Sequence, residues 1–329
     1  MKKIFLSILF LSSFFYSRIF YSKTIPLAQA QLLQNKPLSL SVSPPTAYLH
    51  LKPDESLLHT ISLKNTGDQT LSVTMQLTDF KPDGVSGKPI LSNGTVFDKA
   101  INPNLSFGEP FLIEPNENRS ISLRLDTAKL SVEKEYPLTV LFHAKSVSNG
   151  AGEGSGASVA GTIASNLILF ISPNEESQGE LLIENVDAPI IVDSFFPIQI
   201  SILAKNVGLN AMPIRGELKI KNIMNQVIDE YIFYPDRVLA DSTRQIRGAP
   251  FSAQILDENQ ELDPEKVKNL QTKFSYKSLF LLGPYKISIN LDQQQREITV
   301  IALPISLLAL IIIGVLMYVS YTTLRKKIV

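Results

Sequence analysis

The chain predicts an all-β protein: two Ig-like β-sandwich domains in tandem, an N-terminal signal peptide and one C-terminal transmembrane helix. Three observations carry that expectation. Apolar residues recur with a period of two through the middle of the 329 residues, one ordered set of short motifs occurs twice, and long uncharged apolar runs lie at both ends.

The period of two is the mark of half-buried strands, because successive side chains of a strand point to opposite faces. It is clear at 57–63 (Leu-Leu-His-Thr-Ile-Ser-Leu) and 71–77 (Leu-Ser-Val-Thr-Met-Gln-Leu), with Gly67-Asp68 as the turn between them. It returns at 120–125, 137–142, 162–171 and 198–204. Many short strands separated by Pro, Asn and Gly turns predict sandwiches rather than an α/β fold. One short helix is expected over 258–271, with Asp263 as its cap and Pro264 at its first position.

The repeat divides this region in two. Lys64-Asn65-Thr66-Gly67 closes one alternating strand and Lys205-Asn206-Val207-Gly208 closes another. Residues 114–119 (Glu-Pro-Asn-Glu-Asn-Arg) lead into a strand, as do 239–244 (Leu-Ala-Asp-Ser-Thr-Arg). Tyr136 and Tyr285 each open a late strand. Three features in one order predict two domains of similar topology, placed at 31–173 and 174–300 with a polar boundary near 172–179. The Gly, Ser and Ala-rich stretch 146–161 is then a hairpin loop inside the first domain rather than a linker.

The ends place the protein. Lys2 and Lys3 precede the apolar run 4–16, which is the pattern of a secretory signal and too short for an ordinary span. Ala28-Gln29-Ala30 has the form of a cleavage site, so 1–30 is expected to be the signal peptide and Gln31 the first mature residue, the alternative being a first helix that stays uncleaved. No charge occurs in 298–324, and Arg325, Lys326 and Lys327 follow directly. That run predicts a single membrane span at 301–322, with the basic tail 323–329 cytoplasmic and both domains outside the cell. Pro304 is tolerable in the first helical turn, and Tyr318 and Tyr321 sit where interfacial aromatics are expected.

Composition excludes several functions. The 31 basic and 31 acidic residues balance, but seven basic residues lie in the two ends, which contain no acid. The middle is therefore acidic by a formal charge of −7, which argues against a nucleic-acid partner. There is no cysteine, hence no disulfide, thiol nucleophile, Cys-ligated metal or lipidated cysteine.

Residues 40–80 contain Ser-Val-Ser-Pro-Pro, then Leu-Lys-Pro-Asp-Glu-Ser, then Leu-Lys-Asn-Thr-Gly-Asp-Gln-Thr-Leu-Ser-Val. This stretch resembles the opening of bacterial surface Ig-like domains. In particular it is similar to the N-terminal domain of the WxL-interacting proteins and, more distantly, to pilus-chaperone-type sandwiches. Residues 136–171 fit the end of such a domain, and the order of signal, two β domains, span and basic tail agrees. The resemblance implies a bacterial source, association of the first domain with peptidoglycan, and a protein or host ligand for the second. It transfers no individual binding residue.

Chemistry-bearing motifs are sparse. His50, His59 and His143 are far apart and form no metal-binding pair, so each is expected on a sheet face. No G-x-S-x-G or phosphate-loop pattern occurs, and the glycines of 150–156 do not open a helix. Asp257, Glu258, Glu261, Asp263 and Glu265 form an acidic cluster without calcium-loop spacing, so a solvated loop explains it. Asn93-Gly94-Thr95 and Asn118-Arg119-Ser120 match glycosylation sequons, which arise often by chance and carry little weight if the source is bacterial.

The expected function is a non-catalytic, membrane-anchored cell-surface binding or adhesion protein. Its partners are peptidoglycan or another envelope or surface protein, and the lipid bilayer through the C-terminal helix. It needs no cofactor and no metal. The alternatives are an accessory, scaffold or chaperone-like subunit of an envelope export or assembly complex, and a hydrolase with an unrecognised site.

Overall fold

The structure is a computed structural model and describes residues 39–97, 105–128, 130–147, 160–174, 179–253 and 270–328. The expected signal peptide, the glycine-rich loop at 150–156 and the acidic cluster at 257–265 lie outside the described residues. So does the expected helix, apart from Leu270 and Gln271, the latter bridged to Gly248.

The first group of strands is β1 (Leu40–Ser43), β2 (Thr46–Leu51), β3 (Ser56–Asn65), β4 (Leu71–Pro82), β5 (Pro89–Leu91), β6 (Pro110–Ile113), β7 (Asn118–Asp126), β8 (Lys134–Ser146) and β9 (Ala160–Ile171). The second is β10 (Leu181–Asp187), β11 (Ile191–Asp193), β12 (Ile198–Asn206), β13 (Met212–Pro213), β14 (Gly216–Lys221), β15 (Val227–Phe233), β16 (Arg237–Val238), β17 (Thr243–Gln245), β18 (Gly248–Pro250), β19 (Phe274–Tyr276), β20 (Gly283–Leu291) and β21 (Gln294–Leu303). Helix α1 (Ile305–Ile328) follows. The fold is all-β with one C-terminal apolar helix.

Each group forms a sandwich. In the first, the sheet β1-β3-β7 packs on the sheet β2-β9-β8-β4-β5, with β6 also paired to β4. In the second, β10-β12-β17, with β19 on β12, packs on β11-β21-β20-β14-β15-β18. Alternation explains the cores. Ile61 and Leu63 on β3, Val73 and Met75 on β4, and Leu123 and Leu125 on β7 are buried, while Thr60, Ser62 and Arg124 between them are not. The second core repeats this with Ile198, Ile200 and Ile202 on β12 and Ile287, Ile289 and Leu291 on β20. Burying one such side chain contributes about 1.5–3 kcal/mol.

In both sandwiches the opening strand divides between the two sheets. β1 pairs antiparallel with β3, and after Pro44 and Pro45 the chain crosses to run parallel with β9 as β2. Likewise β10 pairs with β12, and β11 runs parallel with β21. β8 and β9 pair as far as Lys145↔Ala160, so the stretch between them joins neighbours in one sheet.

The C-terminal boundary differs from the expected span. Residues 301–303 are still strand, because β21 pairs there with both β20 and β11 and its backbone groups are already bonded. The helix starts only after Pro304, whose carbonyl accepts the N–H of Leu308 at 3.0 Å. The cap comes from elsewhere in the fold: Asp193 on β11 accepts the Ser306 N–H at 2.6 Å. A carboxylate at a helix N-terminus is favourable. Hydrogen bonds from the Phe195 and Ser306 amides hold Asp193 below the ordinary carboxylate range. α1 is long and apolar enough to cross a membrane, with none of its span buried against the sandwiches.

Candidate interaction site

The repeated motifs occupy equivalent places and do equivalent work. Asn65 ends β3 and Asn206 ends β12, and both are fully buried. Asn65 Nδ2 donates to the carbonyls of Gln69 (2.8 Å), Ile113 (3.2 Å) and Glu114 (3.1 Å), and its Oδ1 accepts the Gly67 N–H. Asn206 Nδ2 donates to Asn210 and Val238 carbonyls, both at 2.8 Å, and its Oδ1 accepts the Gly208 N–H. Each asparagine ties the turn that follows it to backbone carbonyls of a neighbouring segment at the end of its core.

The other two motifs match as well. Asn116 and Asp241 both take positive φ, 62° and 53°, and turn the chain into β7 and β17. Arg119 Nη1 then reaches back to the Leu112 carbonyl at 2.9 Å, and Arg244 Nη1 to the Arg237 carbonyl at 3.1 Å. Tyr136 Oη accepts the Ser131 N–H, and Tyr285 Oη accepts the Leu282 N–H.

The sandwiches meet at a built junction. Phe80 and Ile168 of the first pack with Ala211 and Leu239 of the second. The turn after β4 covers the edge strand β17: Val85 O accepts the Gln245 N–H at 2.8 Å, and Thr243 Oγ1 donates to Gly84 O. Asp83 shapes that turn by accepting the Ser86 hydroxyl and the Val85 and Gly87 amides, which lower it to about 2. Gly87 has φ of 70°, and a Cβ there would stand 2.8 Å from the Arg244 guanidinium, so a side chain is disfavoured by the backbone and would have to displace that guanidinium. Arg237 stacks over Tyr48 at 4.4 Å. Asp236 is gripped by Arg247 through two bonds of 2.7 Å and by Arg244 at 2.9 Å. At the linker, His50 Nε2 donates to the Ser172 carbonyl at 3.0 Å.

A cleft of about 850 Å³ opens beside this junction, lined by Phe80, Glu135, Lys205, Leu209 and Leu239 among others. Glu135 is 8% exposed; its Oε1 accepts the Ala240 N–H at 3.1 Å, and its Oε2 has no partner. Burial raises its carboxyl to about 7, against smaller lowering by the Ala240 and Ala211 amides.

The folded state therefore binds the Glu135 proton more tightly than the unfolded chain does. The resulting stability is complete below about pH 4.5 and is lost as pH rises through 7. His59 works in the opposite sense. Burial lowers it, so protonation below about pH 6.5 favours the unfolded chain. Glu135→Gln keeps the acceptor and removes the charge. At pH 8 this variant is expected to be more stable than the parent by about 3 kcal/mol at most, converging with it at pH 4. Denaturant unfolding across pH checks this, and equal pH dependence in the two proteins contradicts it.

The open feature of the first sandwich is the edge of β9. β2 covers only its second half, from Asn166 to Ile171. Asn166 gives its N–H to Pro45 O at 2.9 Å, on the side facing β2. Backbone groups alternate sides along a strand, so Ala164 and Thr162 aim theirs the same way. No described strand pairs with them there, although β1 lies near β9. Among the described residues β1, at the edge of the facing sheet, pairs only with β3. Sequence reasoning missed this edge, because an alternating strand looks the same whether one or both of its edges are paired.

The three histidines are not brought together. His50 lies on β2, His59 points inward from β3 at the rim of the core, and His143 bridges Gln76 and Thr162 on the outer face of the other sheet. Among the described residues no three His, Cys, Asp or Glu side chains are grouped to hold a metal ion.

No protein-family model matches the chain. No curated protein matches it either. Among solved structures it is similar to the CsuC–CsuE chaperone–tip adhesin pre-assembly complex of Acinetobacter baumannii, at 13% identity over 80% of this chain and 99% of that one, with a TM-score of 0.36. It is also similar to the class 5 fimbriae chaperone CfaA (12% identity, 80% and 100% covered, TM-score 0.37). The YadV chaperone stands at 8% identity, 79% and 99% covered, and a TM-score of 0.38. Likenesses at these TM-scores carry no argument about what this chain does.

Proposed function

We propose that the chain is a non-catalytic, membrane-anchored subunit of a bacterial envelope assembly, scaffold-like or chaperone-like, that holds an extended segment of another protein. The observation that carries this reading is the unpaired first half of β9. Outward backbone donors and acceptors at Thr162 and Ala164 suit a polypeptide strand, which adds to an edge through main-chain bonds. A cell-wall polysaccharide has no matching ladder, so the edge favours a protein partner over peptidoglycan. The bonded junction supports the reading too, since it holds the edge in a fixed relation to the second sandwich. α1 supplies the anchor, with the sandwiches outside the membrane and the basic tail inside.

Proline tests the edge selectively. Ala164→Pro removes an outward N–H without touching the bonds to β8, and proline is tolerated on such edges. The full-length variant is expected to fold like the parent but to lose photo-crosslinking of a partner from Thr162 in the native envelope. An undiminished crosslink in the Ala164→Pro background, or crosslinking to wall polymer alone, overturns the reading.

A further inference from the structure

The second sandwich exposes large apolar side chains mainly at one end, and that end is where α1 leaves. β21 fixes the level: Ile301, Ala302 and Leu303 lie beside Ile191, Val192 and Asp193 on one flank, and Ala302 lies beside Gly283 on the other. The stretch before Gly283 is tied there as well, because Leu281 N–H donates to Ser194 O and Ser194 N–H to Leu303 O. β14 runs toward the same end, with Lys221 opposite Lys286, so its turn into β15 continues toward the level of Gly283. Three loops and one strand start thus converge on the root of the helix.

Their tips are apolar and open. Ile190, Phe196, Ile223, Met224, Leu279 and Leu282 are between 60% and 95% exposed. Such residues normally alternate with buried ones for a reason of packing. Here Leu281 fills the core while Leu279 and Leu282 on either side of it face out. Phe195 and Phe280 hold one part of the rim together in an edge-to-face contact at 5.5 Å. An apolar patch of this extent marks an interaction surface.

We infer that this collar is seated in lipid, at the boundary between headgroups and acyl chains of the leaflet that α1 enters. The inference rests on reading α1 as a membrane span. Its own support is geometric. The tips lie on both flanks of β21 and come from both sheets, so a surface crossing the helix axis touches all of them, whereas a protein docked on one flank does not. Only Pro304 separates β21 from α1, and Asp193 caps the helix from the neighbouring strand, so the sandwich has no slack with which to stand clear of the bilayer. Exposed Lys277 beside Leu279 is placed for headgroup phosphates, and phenylalanine and leucine suit the layer beneath. Seating the collar holds the two sandwiches at a set angle to the membrane, with the β9 edge at the far end.

The chain has no tryptophan, so a single introduced one reports its own site. Full-length variants Leu279→Trp, Met224→Trp, Val315→Trp and Leu58→Trp are to be placed in nanodiscs with and without brominated acyl chains. Val315 lies within α1, and Leu58 is exposed on the first sandwich. The expected result is quenching and a blue shift at positions 279, 224 and 315, and neither at 58. Quenching at 315 with 279 and 224 behaving like 58 overturns the collar and leaves the span standing. A blue shift at 279 and 224 without bromine quenching assigns the collar to a protein, such as a second copy, and overturns the lipid assignment. No quenching at 315 removes the span and the collar together.

Discussion

Asn65→Ala and Asn206→Ala are each expected to destabilise the protein by about 3–4 kcal/mol, through loss of several hydrogen bonds to backbone groups at about 1–3 kcal/mol each. Both side chains are fully buried, and alanine reaches none of their partners. Asn65→Ala removes the donor to the carbonyls of Gln69, Ile113 and Glu114, the last of which still accepts the Glu117 N–H, and leaves the Gly67 amide without its acceptor. Asn206→Ala strands the carbonyls of Asn210 and Val238 and the Gly208 amide. Aspartate is the informative control. It keeps the shape and the acceptor for the glycine amide but cannot donate, so at neutral pH it should do no better than alanine. Amide exchange then assigns the damage: position 65 should expose β3, β4 and β7, and position 206 should expose β12 and β14. Loss of less than about 1 kcal/mol at both sites contradicts the assignment of these residues as backbone plugs.

Removal of the Asp236 carboxylate is the second large effect, at about 3 kcal/mol, because a buried charge partner is taken from two arginines. Asp236 accepts both guanidinium bonds of Arg247 and one from Arg244. Arg247 retains some access to water, which keeps the cost at the lower end of the range for buried pairs. The damage should not stay local. Arg244 also holds the Arg237 carbonyl, and Arg237 stacks on Tyr48 of the first sandwich. Asp236→Ala should therefore both lower stability and speed proteolysis in the linker around 172–180. The double variant Asp236→Ala/Arg247→Ala separates causes, since it should recover part of the loss if stranded charge is responsible. A purely additive double variant, or an unchanged cleavage rate, contradicts this view of the junction.

The strands were legible because burial on one face imposes a period of two, and the duplication because a Lys-Asn-x-Gly tetrapeptide closes both β3 and β12. What the tetrapeptide does was only half legible. A turn explains Gly67 and Gly208, but nothing in a turn requires a buried asparagine before it, and that repetition was the available signal. The late start of α1 was hidden because Ile301, Ala302 and Leu303 are as apolar as a membrane helix. They are strand only because β11 and β20 flank them. The junction could not be read at all. Phe80, Ile168, Ala211 and Leu239 are ordinary apolar residues in separate segments, and Glu135 sits between Lys134 and Tyr136 like any surface carboxylate. The Asp193 cap spans 113 residues to Ser306, beyond the reach of local pattern. The β9 edge depends on where β2 stops, which is a property of pairing and not of composition.

Residue-resolved amide exchange on the full-length protein, with and without its crosslinked partner segment, tests the central claim most directly. Strand addition predicts new protection at Thr162 and Ala164, with Ile163 and Ser165 already slow in the free protein because they face β8. Protection confined to the residues lining the junction cleft, with Thr162 and Ala164 unchanged, would contradict it.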